Sequence, residues 1–154
     1  MHLFTYGTLM LPRVMEAVTG DLFTACRAVL SGYARFRIHG ATYPGLIEQP
    51  GTKTEGMLYL NVDASSIARL DAFEGSLYDR VHAEVDTVTG GRVLAAMYVV
   101  KAGQRPRLSA EAWHLDAFER NHLDTFLAGY HGFQALAGNA KKSDLETPVR
   151  ETLS

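Results

Sequence analysis

Residues 55–80 read EGMLYLNVDASSIARLDAFEGSLYDR, and this stretch decides the fold. Glu55–Val62 is an apolar run that suits a strand. Asp63 stands where its carboxylate can cap a helix. The helix predicted over roughly 64–74 places Ile67, Leu70 and Phe73 on one side. Gly75 is well placed to end it, and Tyr78 opens a second strand-like run. A strand, one short helix and another strand follow each other with almost no connecting residues.

Outward toward the C-terminus, Tyr78–Val88 and Arg92–Val100 read as a hairpin joined by Thr89-Gly90-Gly91. Ser109 can cap a long helix over roughly 110–128, with Leu115, Phe118, Phe126 and Leu127 on its apolar side and Gly129 at its end. Outward toward the N-terminus, Leu46–Gln49 is a short strand, set off by turn signals at Tyr43-Pro44-Gly45 and Pro50-Gly51. Residues 22–39 alternate as one long bent strand or two strands broken near Ser31-Gly32. Leu11–Gly20 reads as a short helix with Pro12 near its start and Gly20 past its end. Residues 2–6 form a first strand, ended by Gly7. Several strands with few helices, lacking regular strand–helix alternation, predict an α+β fold. The expected architecture is a small mixed, mostly antiparallel β-barrel flanked by helices. The pattern fades after Tyr130, so residues 1–135 are expected to form one domain and 136–154 a polar, loosely held tail.

The chain has 154 residues, of which 47% are hydrophobic and 21% charged, which fits one globular domain. A formal net charge of −2 gives no electrostatic basis for binding nucleic acid. The one basic doublet, Lys141-Lys142, belongs to the polar tail. No apolar run approaches the roughly 20 residues of a membrane span, and Met1-His2-Leu3 runs straight into a strand with no signal-peptide pattern. Cys26 is the only cysteine. It cannot form an internal disulfide, reads as a buried structural thiol, and makes the cytoplasm the default compartment. His2, His39, His82, His114, His122 and His131 are dispersed, with no metal-ligand spacing among them. No Gly-x-Ser-x-Gly elbow and no phosphate-binding glycine loop appear. The chain therefore carries no signature of a cofactor.

Two segments do carry chemistry. Tyr6-Gly7-Thr8-Leu9 follows the first strand. Glycine there permits an unusual turn and close approach of a ligand, and successive backbone N–H groups in such a turn can hold an anion. Read alone, the same four residues could simply end a strand. Glu74 falls at the C-terminal end of its helix, facing the negative end of the macrodipole. If it is also buried, its pKa rises, which suits a general base working near neutrality. Tyr78 or Arg80 could hydrogen-bond that carboxylate or a substrate. Leu115-Asp116-Ala117-Phe118-Glu119 repeats the five residues ending at Glu74, but Glu119 sits in mid-helix and reads as a solvated charge. An anion-holding turn with an isolated carboxylate suits acyl transfer that needs no side-chain nucleophile.

The pair of motifs resembles the γ-glutamylcyclotransferase-like (AIG2-like) family, nearest to its γ-glutamylamine cyclotransferase type. The hallmarks matched are Tyr6-Gly7-Thr8-Leu9 and Phe73-Glu74-Gly75 with Tyr78 and Arg80. Tyr43-Pro44-Gly45-Leu46 and Glu55-Gly56-Met57-Leu58-Tyr59 are similar to the family's middle strands. The resemblance runs from about Leu3 to Val100 and more weakly through the segment around Trp113. It implies a compact mixed barrel and a cofactor-independent cyclotransferase that converts a γ-glutamyl amine or peptide to 5-oxoproline and a free amine. It implies Glu74 as the general base, with Tyr6, Gly7, Thr8, Leu9 and Tyr78 around the small γ-glutamyl substrate. The leaving amine and the oligomeric state stay open. So does a second reading, a non-catalytic ligand-binding or interaction protein of the same fold.

Overall fold

A computed structural model describes residues 1–129. Five strands close into a barrel in the order β1-β3-β2-β4-β5. They are β1 (Leu3–Thr5), β2 (Ala25–Arg37), β3 (Pro44–Tyr59), β4 (Tyr78–Thr87) and β5 (Arg92–Val100). All pairings are antiparallel except β1 with β5, which meet in parallel at Leu3 and Ala96 and close the barrel. Helices α1 (Pro12–Thr19), α2 (Ala64–Glu74), α3 (Leu115–Asn121) and α4 (Leu123–Gly129) lie outside it. The fold is thus α+β, a mixed and mostly antiparallel barrel flanked by helices. No helix among the described residues is long and apolar enough to cross a membrane.

The period of two along each strand builds two cores. Phe4, Ala28, Leu30, Leu46, Leu58, Val85, Ala95 and Met97 come from all five strands and fill the barrel. Their neighbours Leu3, Tyr59, Ala96 and Val100 face the other way. They pack with Val14, Met15 and Val18 of α1, Ile67, Leu70 and Phe73 of α2, and Phe118, Leu123 and Phe126 of the last two helices. Cys26 packs against the interior cluster but is only partly buried.

The helix ends follow their sequence signals. Pro12 opens α1, and Gly20 closes it in the left-handed conformation at φ 81°. The Asp63 carboxylate accepts from the Ser66 N–H at 3.2 Å and caps α2. The 78–100 hairpin forms as expected.

Two expectations are corrected. Leu46–Gln49 and Glu55–Val62 are not separate strands. β3 runs unbroken from Pro44 to Tyr59, and the Pro50-Gly51 signal marks a bulge inside it. Its pairing with β2 jumps from Tyr33–Glu48 to Ser31–Lys53, so residues 49–52 arch away from the ladder. Thr52 Oγ1 closes that arch by donating to the Gln49 carbonyl at 2.7 Å. The same irregularity answers the question at Ser31-Gly32: β2 is one bent strand.

The long helix over 110–128 does not exist either. Instead, residues 110–114 form no helix, and two short helices follow with a break at His122. Ser109 is drawn into pairing with β2: its N–H and hydroxyl both donate to the Arg37 carbonyl, at 2.8 and 2.7 Å. Arg37 N–H donates in turn to the Glu111 carbonyl at 2.9 Å. Trp113 Nε1 donates to the Thr42 carbonyl at 2.7 Å. These tertiary bonds outweigh helical propensity over the would-be first turn. The polar tail and the boundary at residue 135 lie outside the described residues.

Candidate active site

One end of the barrel gathers the C-terminal ends of the parallel pair β1 and β5 with the starts of β3 and β4. A small cleft opens there. Its wall includes Tyr6, Gly7, Thr8 and Leu9 after β1, Tyr43 and Pro44 at the start of β3, Glu74 at the end of α2, Tyr78 at the start of β4, and Tyr98 on β5. The structure therefore brings all six residues singled out by sequence around one cavity. It adds Tyr43, Pro44 and Tyr98, which the sequence reading did not assign to a site.

The turn after β1 is braced on both flanks. Gly7 precedes a single 3₁₀ turn, Thr8–Met10. The Tyr59 hydroxyl donates to the Leu9 carbonyl at 2.7 Å. Arg35 Nη1 donates to the Tyr6 carbonyl at 2.8 Å. The N–H groups of Gly7, Thr8 and Leu9 pair with no backbone carbonyl among the described residues, as expected at the start of a helical turn. The reason for glycine at position 7 differs from the expected one. Its φ is −125°, which any residue can adopt. What crowds a side chain here is the Pro44 ring: a Cβ on Gly7 would lie 3.0 Å from both Pro44 Cγ and Cδ, so the ring would have to give way slightly.

Glu74 is the last residue of α2, and Gly75 turns the chain away from it at φ 70°. The side chain is largely enclosed yet keeps some solvent contact at the cavity. Burial pushes its pKa from 4.5 up to about 8, and the negative charge of Asp71 adds to the shift. The helix C-terminus acts in the same sense.

The tyrosines around the carboxyl are anchored by backbone or by Asp71. Tyr6 donates to the Tyr98 carbonyl at 2.6 Å, and Tyr78 to the Pro44 carbonyl at 2.7 Å. Tyr98 donates to Asp71 Oδ1 at 2.7 Å. Burial raises the pKa of all three phenols, so they stay neutral across the physiological range. Arg80 does not reach Glu74. Its Nε pairs with Asp71 Oδ1 at 3.3 Å on the exposed side of the helix. Glu119 is exposed on α3, as its mid-helix position suggested. No three His, Cys, Asp or Glu side chains converge to hold a metal among the described residues.

The barrel thus sets an enclosed carboxylic acid and an uncapped backbone turn around one cavity. Residues 3–122 match the family model described as gamma-glutamyl cyclotransferase, AIG2-like, and the chain belongs to that family. It is 30% identical over 132 residues to AIG2-like protein C of Arabidopsis thaliana, spanning 85% of this chain and 76% of that one. Identity to Protein AIG2 C of the same plant is 25% over 154 residues, covering 99% and 93% of the two chains. Among solved structures, one titled gamma-glutamyl cyclotransferase superposes with a TM-score of 0.56 at 19% identity, over 65% of this chain and 66% of that one.

Proposed function

We propose that the cavity holds a γ-glutamyl amine or γ-glutamyl peptide and cyclises it to 5-oxoproline, releasing the amine. The observation that carries this reading is Glu74: an enclosed carboxyl with its pKa at about 8, across a cavity from an uncapped backbone turn. Family membership supports it.

The substrate brings its own nucleophile, the α-amine, which attacks the γ-carbonyl to close a five-membered ring. Folding the glutamyl chain so that these atoms meet can supply about 7–11 kcal/mol of the barrier. Glu74 in its ionised form takes a proton from the α-amine. The carbonyl becomes an oxyanion, which collapses and breaks the γ-amide C–N bond. Glu74 returns its proton to the departing nitrogen and is ready for another turn. The N–H groups of Gly7, Thr8 and Leu9 hold negative charge on the glutamyl part. Tyr6, Tyr78 and Tyr98 exclude water from around the carboxyl. None of these steps needs a cofactor.

The test is a panel of γ-glutamyl amines incubated with the protein in chelator, with 5-oxoproline measured by mass spectrometry. The wild type should convert at least one member. Glu74→Gln should convert it at least ~10²-fold more slowly. Binding without conversion by the wild type would favour a non-catalytic ligand-binding protein of the same fold.

A further inference from the structure

We infer that Arg35 is a positioning residue for the turn at residues 6–9: its guanidinium fixes the Tyr6–Gly7 peptide so that the Gly7 N–H faces the cavity as a strengthened donor. This rests on the reading of that turn as the holder of negative charge.

The geometry begins with one peptide plane. No peptide among the described residues is cis, and a trans peptide points its C=O and N–H in opposite directions. Arg35 Nη1 donates to the Tyr6 carbonyl at 2.8 Å. The Gly7 N–H, in the same plane, must then point away from Arg35. Gly7 lies in the cavity wall, whereas Arg35 does not. Arg35 thus holds the carbonyl side of the plane from outside the cavity wall, and the Gly7 N–H lies on the opposite side of that plane. A cation on the carbonyl also draws electron density from the amide, and hydrogen bonds in such chains polarise one another.

Arg35 is itself held for this task. The same Nη1 donates to the Glu55 carbonyl at 3.2 Å. Its guanidinium carbon stands 5.6 Å from the centroid of the Trp113 ring, within cation–π range. Trp113 is 5% exposed and tied to the Thr42 carbonyl. Arg35 makes no salt bridge at contact distance among the described residues; burial lowers its pKa, and the charge of Glu55 opposes that shift. The Arg35 charge reaches the cavity wall, where it opposes the upward shift of the Tyr6 phenol.

The experiment compares the full-length wild type with Arg35→Met and Arg35→Lys. The ¹⁵N-labelled proteins report the Gly7 amide directly, without any substrate. Arg35→Met should move the Gly7 nitrogen resonance upfield, while signals from α1 and the 78–100 hairpin stay in place. Arg35→Lys retains a charged donor and should give a smaller displacement. With a γ-glutamyl amine that the wild type converts, Arg35→Met should raise KM about tenfold and change kcat less than about threefold, the pattern of lost uniform binding. Arg35→Lys should recover part of the KM. An unmoved Gly7 resonance in Arg35→Met, or an unchanged KM, would overturn the role of Arg35. A wild type that converts no γ-glutamyl amine would instead overturn the cyclotransferase reading, and the Gly7 resonance would still decide the role of Arg35. Should Arg35→Met fail to fold, a Gly7 resonance in Arg35→Lys identical to wild type would count against the inference and a displaced one for it.

Discussion

Replacing Glu74 with Gln should make the protein more stable in alkali than the wild type, and the gain should vanish in acid. The enclosed carboxyl titrates at about 8, against 4.5 in an unconstrained chain. Between those values the folded state keeps a proton that the unfolded state gives up. A group of this kind contributes stability that is fully present below pH 4.5 and is lost as pH rises toward 8. Glutamine fills the same space and never ionises, so it does not suffer this loss. A difference of 3.5 pH units, from 4.5 to 8, corresponds to at most about 5 kcal/mol at 1.36 kcal/mol per unit. Glu74 keeps solvent contact at the cavity, and hydration there reduces the figure, so we expect about 2–3 kcal/mol. The phenols of Tyr6, Tyr78 and Tyr98 are all raised and stay neutral through this window. They add no titration of their own.

The assay is urea unfolding of both proteins at half-unit steps from pH 4 to 9. The quantity of interest is the difference in unfolding free energy, since groups common to both cancel. It should be near zero at pH 4 and should grow in favour of Glu74→Gln up to about pH 8. A difference that is flat with pH would refute the claim that burial holds the Glu74 proton. The pH–rate profile would then owe nothing to that environment.

Other changes test separate parts of the site. Asp71→Asn removes the second cause of the Glu74 shift, so the rising limb of kcat/KM against pH should move toward acid. A limb that stays put would mean the Asp71 charge is already neutralised by Arg80. Gly7→Val places side-chain carbon against Pro44, where even a Cβ would come within 3.0 Å. It should abolish turnover while costing only about 1–3 kcal/mol of stability, measured by urea unfolding beside 5-oxoproline release. A folded Gly7→Val protein with normal turnover would show that the turn only ends a strand. Glu119→Gln alters an exposed helix face and should leave kcat within about twofold. A loss like that of Glu74→Gln would mean the wrong one of two look-alike carboxylates has been chosen.

Local chemistry explains which features were legible in the sequence. A helix end is specified within a few residues of itself, so Asp63 before α2 and Gly20 after α1 could be read directly. The Thr89-Gly90-Gly91 turn is equally local. The interpretations that failed concern pairings made at long range. Pro50-Gly51 carries a true turn signal, but β2 pairs with β3 on both sides of it, and the strand survives around a bulge. Ser109 does accept from the Glu111 N–H, as a cap would, yet Ser109 and Glu111 are both paired with the backbone of Arg37, more than 70 residues away, and no helix follows there.

The site divides along the same line. Glu74 and residues 6–9 announce themselves because each depends on its own neighbours: a helix end, and a glycine after a strand. Asp71, Tyr98 and Arg35 do not. Asp71 is one helical turn before Glu74, and the sequence places it there, but its partners Tyr98 and Arg80 come from the hairpin. Arg35 lies near the C-terminal end of β2 and reaches the turn after β1 across β3, which pairs with both strands. The groups proposed to react can therefore be found by motif, whereas those proposed to tune and orient them emerge only from the topology. Glycine at position 7 belongs to both kinds. A motif marks it, but the crowding that favours glycine there comes from the Pro44 ring, which the barrel folds against it. It follows that a chain could keep both motifs and still weaken the site by changing Arg35, which neither motif includes.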